Sequence, residues 1–229
     1  MQDVIEVPAE ELHGRDQRWG PEDARIDRFA LTERLLHWWT VAMFTAALLT
    51  GFWMGTEFET GTTQFNLHVA SVILIGVGIL VALVFGSARS ILRSLRALFL
   101  FDRHDVVGIA ARLRDPLHRR SKVNWGKFNP GQKVLAWSLL ASVIALVLTG
   151  ISSWQTGGDL YEHHQVAAIV CLVLLGAHVF MALLNPSTRP ALPGMVIGTV
   201  KRSWAAKHYS GWLAEQERNS EAVIKERRG

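Results

Sequence analysis

A single cysteine, Cys171, leaves this 229-residue chain unable to close an internal disulfide or to build a cysteine-rich metal cluster. The motif Cys-x-x-Cys-His is absent as well, which excludes a covalently attached c-type haem, so any iron centre must be held by histidine. Charge is missing from four long stretches. Residues 35–54, 67–85, 134–154 and 166–184 contain no Lys, Arg, Asp or Glu. Each approaches the roughly 20 apolar residues needed to cross a ~30 Å hydrocarbon layer. With nine Trp and a mean hydropathy of +0.18, these runs predict an all-α integral membrane four-helix bundle.

Basic residues are missing from two further places, the loops Gly55 to Asn66 and Gln155 to His163, which instead carry Glu57, Glu59, Asp159 and Glu162. All 24 Lys and Arg lie on the other side: five before the first span, eleven from Arg89 to Lys133, eight after the fourth. That distribution follows the positive-inside rule, so both termini and the long loop 86–133 are expected in the cytoplasm. The net charge of +4 and the pI near 9.6 then reflect topology and not a nucleic-acid partner. The expected organisation is a cytoplasmic tail (1–30), a four-helix domain (31–185) and a basic C-terminal segment (186–229). The tail is broken by Pro8, Gly14, Gly20 and Pro21 and has no apolar signal-peptide core.

Several local features carry expectations of their own. Thr32 is a candidate N-cap for the first span, with Arg25, Arg28 and Arg34 at the anionic inner surface. Trp38 and Trp39 read as interfacial belt residues or as aromatic walls of a cofactor pocket. Matching Leu-Thr-Gly ends, at Gly51 and Gly150, permit close approach of a neighbouring helix or of a flat cofactor. Gly76 and Gly78 lack the strand and third glycine of a dinucleotide loop and read as helix packing, as does Cys171. Residues 88–101 carry Arg89, Arg93 and Arg96 beside Leu92, Leu95 and Phe99 and read as an extension of the second helix, at the membrane surface or under a partner subunit. Pro130 and Gly131 make a helix-entry turn in which Asn129 and Gln132 offer amide groups at the inner boundary. After Pro186, Pro190 and Pro193 a basic helix with Trp204 and Trp212 restarts, suited to a partner or to lipid head groups.

Nine histidines are present, and His13, His104, His118, His163 and His208 fall in cytoplasmic segments or the outer loop. The other four pair by depth. His37, near the start of the first span, and His178, near the end of the fourth, share the inner leaflet; His68 and His164 lie where chains re-enter from outside. His164 and His178 stand fourteen residues apart on one helix, about 21 Å along its axis and within about 40° of one direction, whereas His163 is offset by about 60°. Two imidazoles per depth suit the two axial positions of a b-type haem better than zinc, which usually takes three or four ligands. The competing reading is that the histidines only hydrogen-bond helix to helix.

The chain resembles the cytochrome b, or gamma, subunit of membrane-bound formate dehydrogenases from about Arg28 to Trp212. The motifs are Glu33-Arg-Leu-Leu-His37-Trp, Leu67-His68, Lys127-Phe-Asn-Pro-Gly-Gln-Lys133, His164 with His178, and Gly194-Met…Gly198…Arg202-Ser-Trp204-Ala-Ala-Lys-His208…Trp212. The resemblance implies two b haems, with His68 and His164 ligating the outer iron and His37 and His178 the inner one. It also implies a quinone site, for menaquinone or ubiquinone, at Asn129, Gly131 and Gln132 with His178 nearby. Implied partners are an iron–sulfur subunit and a molybdenum- or tungsten-type catalytic dehydrogenase subunit, in the inner membrane of a bacterium. The chain itself would then be an electron-transfer subunit, with the catalytic site on another chain. Pro130 and the run Lys207-His208-Tyr209-Ser210-Gly211-Trp212 depart from the family pattern, the latter with an expected effect on partner docking. The cytochrome b of a hydrogenase or of a thiosulfate or polysulfide reductase, and a haem-free membrane anchor, are the rivals.

Overall fold

Four helices dominate the computed structural model, which describes residues 24–55, 58–114 and 125–228. The expected tail up to residue 23, with His13, and the loop stretch 115–124, with His118, lie outside the described residues, as do Glu57 and the side chain of His104. The long helices are α1 (Leu31–Met54), α2 (Thr63–Phe85), α5 (Pro130–Thr156) and α6 (Tyr161–Leu183), each long and apolar enough to cross a membrane. Their apolar side chains stay largely exposed, Phe85 at 84% and Val173 at 68%, the surface of a bundle whose solvent is lipid. The chain is a multi-pass helical membrane protein.

Helix ends follow local chemistry. At α1 the N-cap is Ala30, not Thr32: the Ala30 N–H donates to Glu33 Oε2 at 2.7 Å, while the Thr32 hydroxyl accepts from the Ser87 N–H at 3.2 Å. Thr62 caps α2 and accepts from the Phe65 N–H at 3.3 Å. At α5 Asn129 and Gln132 form a reciprocal capping box, Gln132 N–H to Asn129 Oδ1 at 3.0 Å and Asn129 N–H to Gln132 Oε1 at 2.9 Å. Pro130 fits there because the first helical position has no need of its N–H.

The expected extension of the second helix is instead a separate helix, α3 (Ala88–Phe99), after a break at Gly86. Helix α4 (Arg103–Arg114) follows, docked by a fully buried ion pair between Asp105 and Lys133 at the foot of α5. Beyond α6 come α7 (Leu192–Val196), α8 (Arg202–His208) and α9 (Ser210–Arg228). One element was not expected: residues 25–27, assigned to the tail, form strand β1 (Arg25–Asp27), which pairs antiparallel with β2 (Thr199–Lys201) in the register Ile26 opposite Val200. Below the bundle, Trp125, Val200, Trp204, Ala205, Tyr209 and Trp212 make a compact apolar collar.

Helices pack closely within each hairpin, α1 on α2 and α5 on α6, and much less across. The hairpins run in the same direction and make the same contacts in duplicate. Arg34 donates to the Val196 carbonyl at 3.0 Å, and Lys133 to the Leu100 carbonyl at 2.8 Å. Trp38 donates to the Met195 carbonyl and Trp137 to the Phe99 carbonyl, both at 3.0 Å. Each hairpin thus holds the segment that follows the other, and the rings of Phe29 and Phe128 meet between them at 6.1 Å. These reciprocal contacts relate the hairpins by an approximate two-fold axis along the bundle, the arrangement of parallel repeats in a membrane.

Candidate cofactor sites

The four histidines come together as two couples. His68 on α2 and His164 on α6 have ring centres 6.0 Å apart; His37 on α1 and His178 on α6 have theirs 6.3 Å apart. A metal–imidazole bond of about 2.0 Å, plus about 1.1 Å from ring nitrogen to ring centre, would put two trans imidazoles about 6.2 Å apart. Both couples have the separation of a bis-histidine site. His163, the alternative at the outer level, is exposed, while His164 is half-buried and faces His68.

The Leu-Thr-Gly twins lie beneath the outer couple. The Nδ1 of His68 lies 2.8 Å from the Ala47 carbonyl, and that of His164 lies 3.0 Å from the Leu146 carbonyl. A carbonyl only accepts, so both Nδ1 atoms carry the proton and both Nε2 atoms keep a lone pair for a metal. The Thr149 hydroxyl donates to the Ala145 carbonyl and its oxygen accepts from His164 Nδ1 at 3.1 Å; Thr50 repeats this at 3.5 Å from His68. A Cβ on Gly51 would meet the His68 ring at 3.4 Å and one on Gly150 the His164 ring at 3.2 Å. The glycines let the imidazoles lie against the helices. No hydrogen bond engages the rings of His37 or His178 among the described residues, so nothing competes for their ring nitrogens.

Among the described residues no three His, Cys, Asp or Glu side chains converge on one point. Each couple therefore offers the two donors of a haem iron, and the donor set fits that group. Cys171, 1% exposed, faces inward on α6 midway between His164 and His178. Both tryptophans bond to backbone: Trp38 reaches the Met195 carbonyl, and Trp39 crosses to the Leu74 carbonyl at 2.8 Å over Gly78. Gly78 is a packing glycine, since a Cβ there would overlap the Trp39 indole.

Asn129, Gly131 and Gln132 stand in the first turn of α5, and both amide oxygens are used by the capping box. What remains are donors. Gln132 Nε2 has no hydrogen-bond partner among the described residues, and Asn129 Nδ2 reaches only Tyr209 Oη, at 3.4 Å. The Tyr209 hydroxyl donates to Gln132 Oε1 at 3.1 Å, a residue that sequence reasoning placed with partner docking. Beneath it Arg28, 5% exposed, lies 4.4 Å from the Tyr209 ring centre and donates to the Lys127 carbonyl at 2.7 Å. Burial pushes the Arg28 guanidinium and the Lys127 ammonium down from their ordinary ranges, with Glu33 partly restoring Lys127. His208, stacked on Trp204, is also lowered by burial. The signal for this floor was in the sequence, where Arg28-Phe29 and Lys127-Phe128 head the two repeats.

A family model described as prokaryotic cytochrome b561 matches residues 28–198. The nitrate-inducible formate dehydrogenase cytochrome b556(Fdn) subunit of Escherichia coli is 28% identical over 84% of this chain and 92% of its own length. The formate dehydrogenase cytochrome b556 subunit of Haemophilus influenzae is 27% identical over 85% and 84%, and the b556(fdo) subunit of Escherichia coli 25% over 86% and 95%. The matched region contains both hairpins and all four paired histidines, and the chain belongs to the prokaryotic cytochrome b561 family.

Proposed function

We propose that this chain is the membrane cytochrome b subunit of a formate dehydrogenase-type complex and holds two b haems, one per histidine couple. The reading rests on one observation above the others: two imidazole couples at two depths, each with ring centres far enough apart to admit one iron atom between them. Bound there, haem iron supplies one-electron redox chemistry. His68 and His164 hold the outer group and His37 and His178 the inner one, and the α6 backbone fixes the spacing between them.

The carboxylate-bearing end faces the outside and meets an iron–sulfur subunit, itself joined to a molybdenum- or tungsten-type catalytic subunit. The basic end faces the cytoplasm of a bacterium, in its inner membrane, with the described C-terminus there. Asn129, Gly131 and Gln132 form the base of a site for a quinone, menaquinone or ubiquinone, which is the electron acceptor. Electrons travelling inward move against a negative interior, at ~2.3 kcal/mol per electron per 100 mV, so the transfer stores energy as membrane potential. The apolar helices exclude water from the path, and the free Gln132 Nε2 with the weakly held Asn129 Nδ2 orients the acceptor. The relatives are formate dehydrogenase cytochromes, which favours that complex over other dehydrogenases.

The test is spectroscopic. The purified protein, reduced with dithionite, is expected to show a b-type alpha band that soluble quinone bleaches. A chain that binds haem but is never reoxidised by quinone would contradict the assigned acceptor.

A further inference from the structure

Helix α3 is pinned to the bundle at both ends. Near its start the hydroxyls of Ser90 and Ser94 donate to the Glu33 carboxylate in the first turn of α1, the former at 3.0 Å. At its end the Leu100 carbonyl accepts from Lys133 at 2.8 Å and the Phe99 carbonyl from Trp137 at 3.0 Å, both in the first two turns of α5. The rings that precede α1 and α5, Phe29 and Phe128, meet at 6.1 Å, so the feet of the two helices stand at one level. A rod fixed to both feet lies along the membrane plane and not across it.

At 100° per residue the faces of α3 separate cleanly. With buried Ile91 taken as the inward direction, Leu95, Phe99 and Leu92 lie about 40–100° round the helix, and Arg96, Arg89 and Arg93 about 140–200°. Two contacts orient these edges. The Phe99 ring packs edge-on against Trp137, two turns into the α5 span, at 5.2 Å. On the opposite side the ammonium of Lys127, which precedes α5, donates to Ser94 Oγ at 2.6 Å. The leucine edge therefore faces the apolar layer, and the arginine edge faces the water beyond it. Leu92 and Leu95 are 51% and 43% exposed, and the three arginines are exposed as well. Among the described residues no hydrogen bond or ion pair engages Arg89, Arg93 or Arg96.

We propose that α3 lies in the lipid interface at the basic end, its leucine edge among the acyl chains, and that Arg89, Arg93 and Arg96 bind the phosphates of anionic lipids. Spacings of four and three residues set the guanidinium groups in one stripe, and their forked donors match phosphate oxygens. Leucines on one edge and arginines on the next are the pattern of a helix that lies in an interface. Because α3 ties the foot of α1 to that of α5, bound lipid braces the two hairpins against each other. The inference needs only the spanning helices and is independent of electron transfer.

The test uses the full chain as purified. Native mass spectrometry in detergent reads the binding of dioleoylphosphatidylglycerol, with dioleoylphosphatidylcholine as the neutral control. Arg89→Gln, Arg93→Gln and Arg96→Gln should each weaken phosphatidylglycerol binding about fivefold, and the triple variant should weaken it by well over tenfold. Arg218→Gln, on the exposed part of α9, should leave it unchanged. Circular dichroism reports folding, and if the triple variant unfolds the single variants carry the test. A second measurement reads depth, in vesicles of phosphatidylcholine and phosphatidylglycerol with the native thiol removed by Cys171→Ala. A nitroxide at Leu92→Cys should meet oxygen dissolved in the lipid, and one at Arg93→Cys a water-soluble nickel chelate. Both labels open to the chelate would put α3 clear of the lipid, as a surface for a partner subunit, and overturn the proposal. Phosphatidylglycerol binding unchanged in the folded arginine variants, or weakened equally by Arg218→Gln, would overturn it too.

Discussion

His178 is the residue on which the inner site depends most simply, because it faces only His37 and makes no other polar contact. His178→Ala should remove one haem and leave the outer one, read as a halved haem-to-protein ratio; full retention would dismiss His178 as a ligand. Thr149 acts one step further out. Its oxygen accepts from His164 Nδ1, which strengthens the imidazole as a donor to metal. Thr149→Val should raise the potential of the outer haem and leave the inner one unmoved in a redox titration. The four histidines were legible from the sequence because hydropathy and charge fix depth, and depth alone pairs them. Thr32 was misread for the opposite reason: capping depends on which acceptor reaches the first N–H, and Glu33 does so from one turn on, freeing Thr32 for Ser87.

Between elements the glycines decide how closely helices pass. A Cβ at Gly78 would lie 2.2 Å from the Trp39 ring, so Gly78→Ala must displace the indole and break its bond to the Leu74 carbonyl. A loss of about 1–3 kcal/mol is expected in unfolding measurements, the usual cost of overpacking. At the foot of α5 the buried Asp105–Lys133 pair holds α4, and removing one partner strands the other charge. Asp105→Ala should therefore cost about 3–5 kcal/mol and expose the α4 junction to protease. Helix existence was readable from apolar length, and each long helix begins four or five residues before its charge-free run. The break at Gly86 and the β1–β2 pairing were not, since each depends on a partner far away in the chain: Thr32 for Ser87, and residues 199–201 for residues 25–27.

At the scale of the molecule the fold is one hairpin used twice, and the second copy departs from the first at the inner histidine couple, where Ala136 stands in the place of His37. The repeat of Arg28-Phe29 through Trp38 in Lys127-Phe128 through Trp137 is written in the sequence. It is hidden by the positions that matter most, Ala30 against Asn129 and His37 against Ala136, and only the Leu-Thr-Gly pair stood out. The collar of Trp204, Tyr209 and Trp212 around Arg28 closes the basic end of both halves. Its assembly joins residues at both ends of the described chain, which no local pattern could reveal. Tyr209→Phe removes the hydroxyl shared with Gln132 and keeps the ring over Arg28, so haem content should hold while quinone reoxidation of reduced haem slows. The central claim, two haems held by histidine at two depths, is tested most directly by counting haem in the purified wild-type chain by pyridine haemochromogen assay, alongside its reduced spectrum. Two b-type haems per chain is the predicted result, and a chain that retains its fold with no haem, or with one that survives loss of either histidine couple, would contradict it.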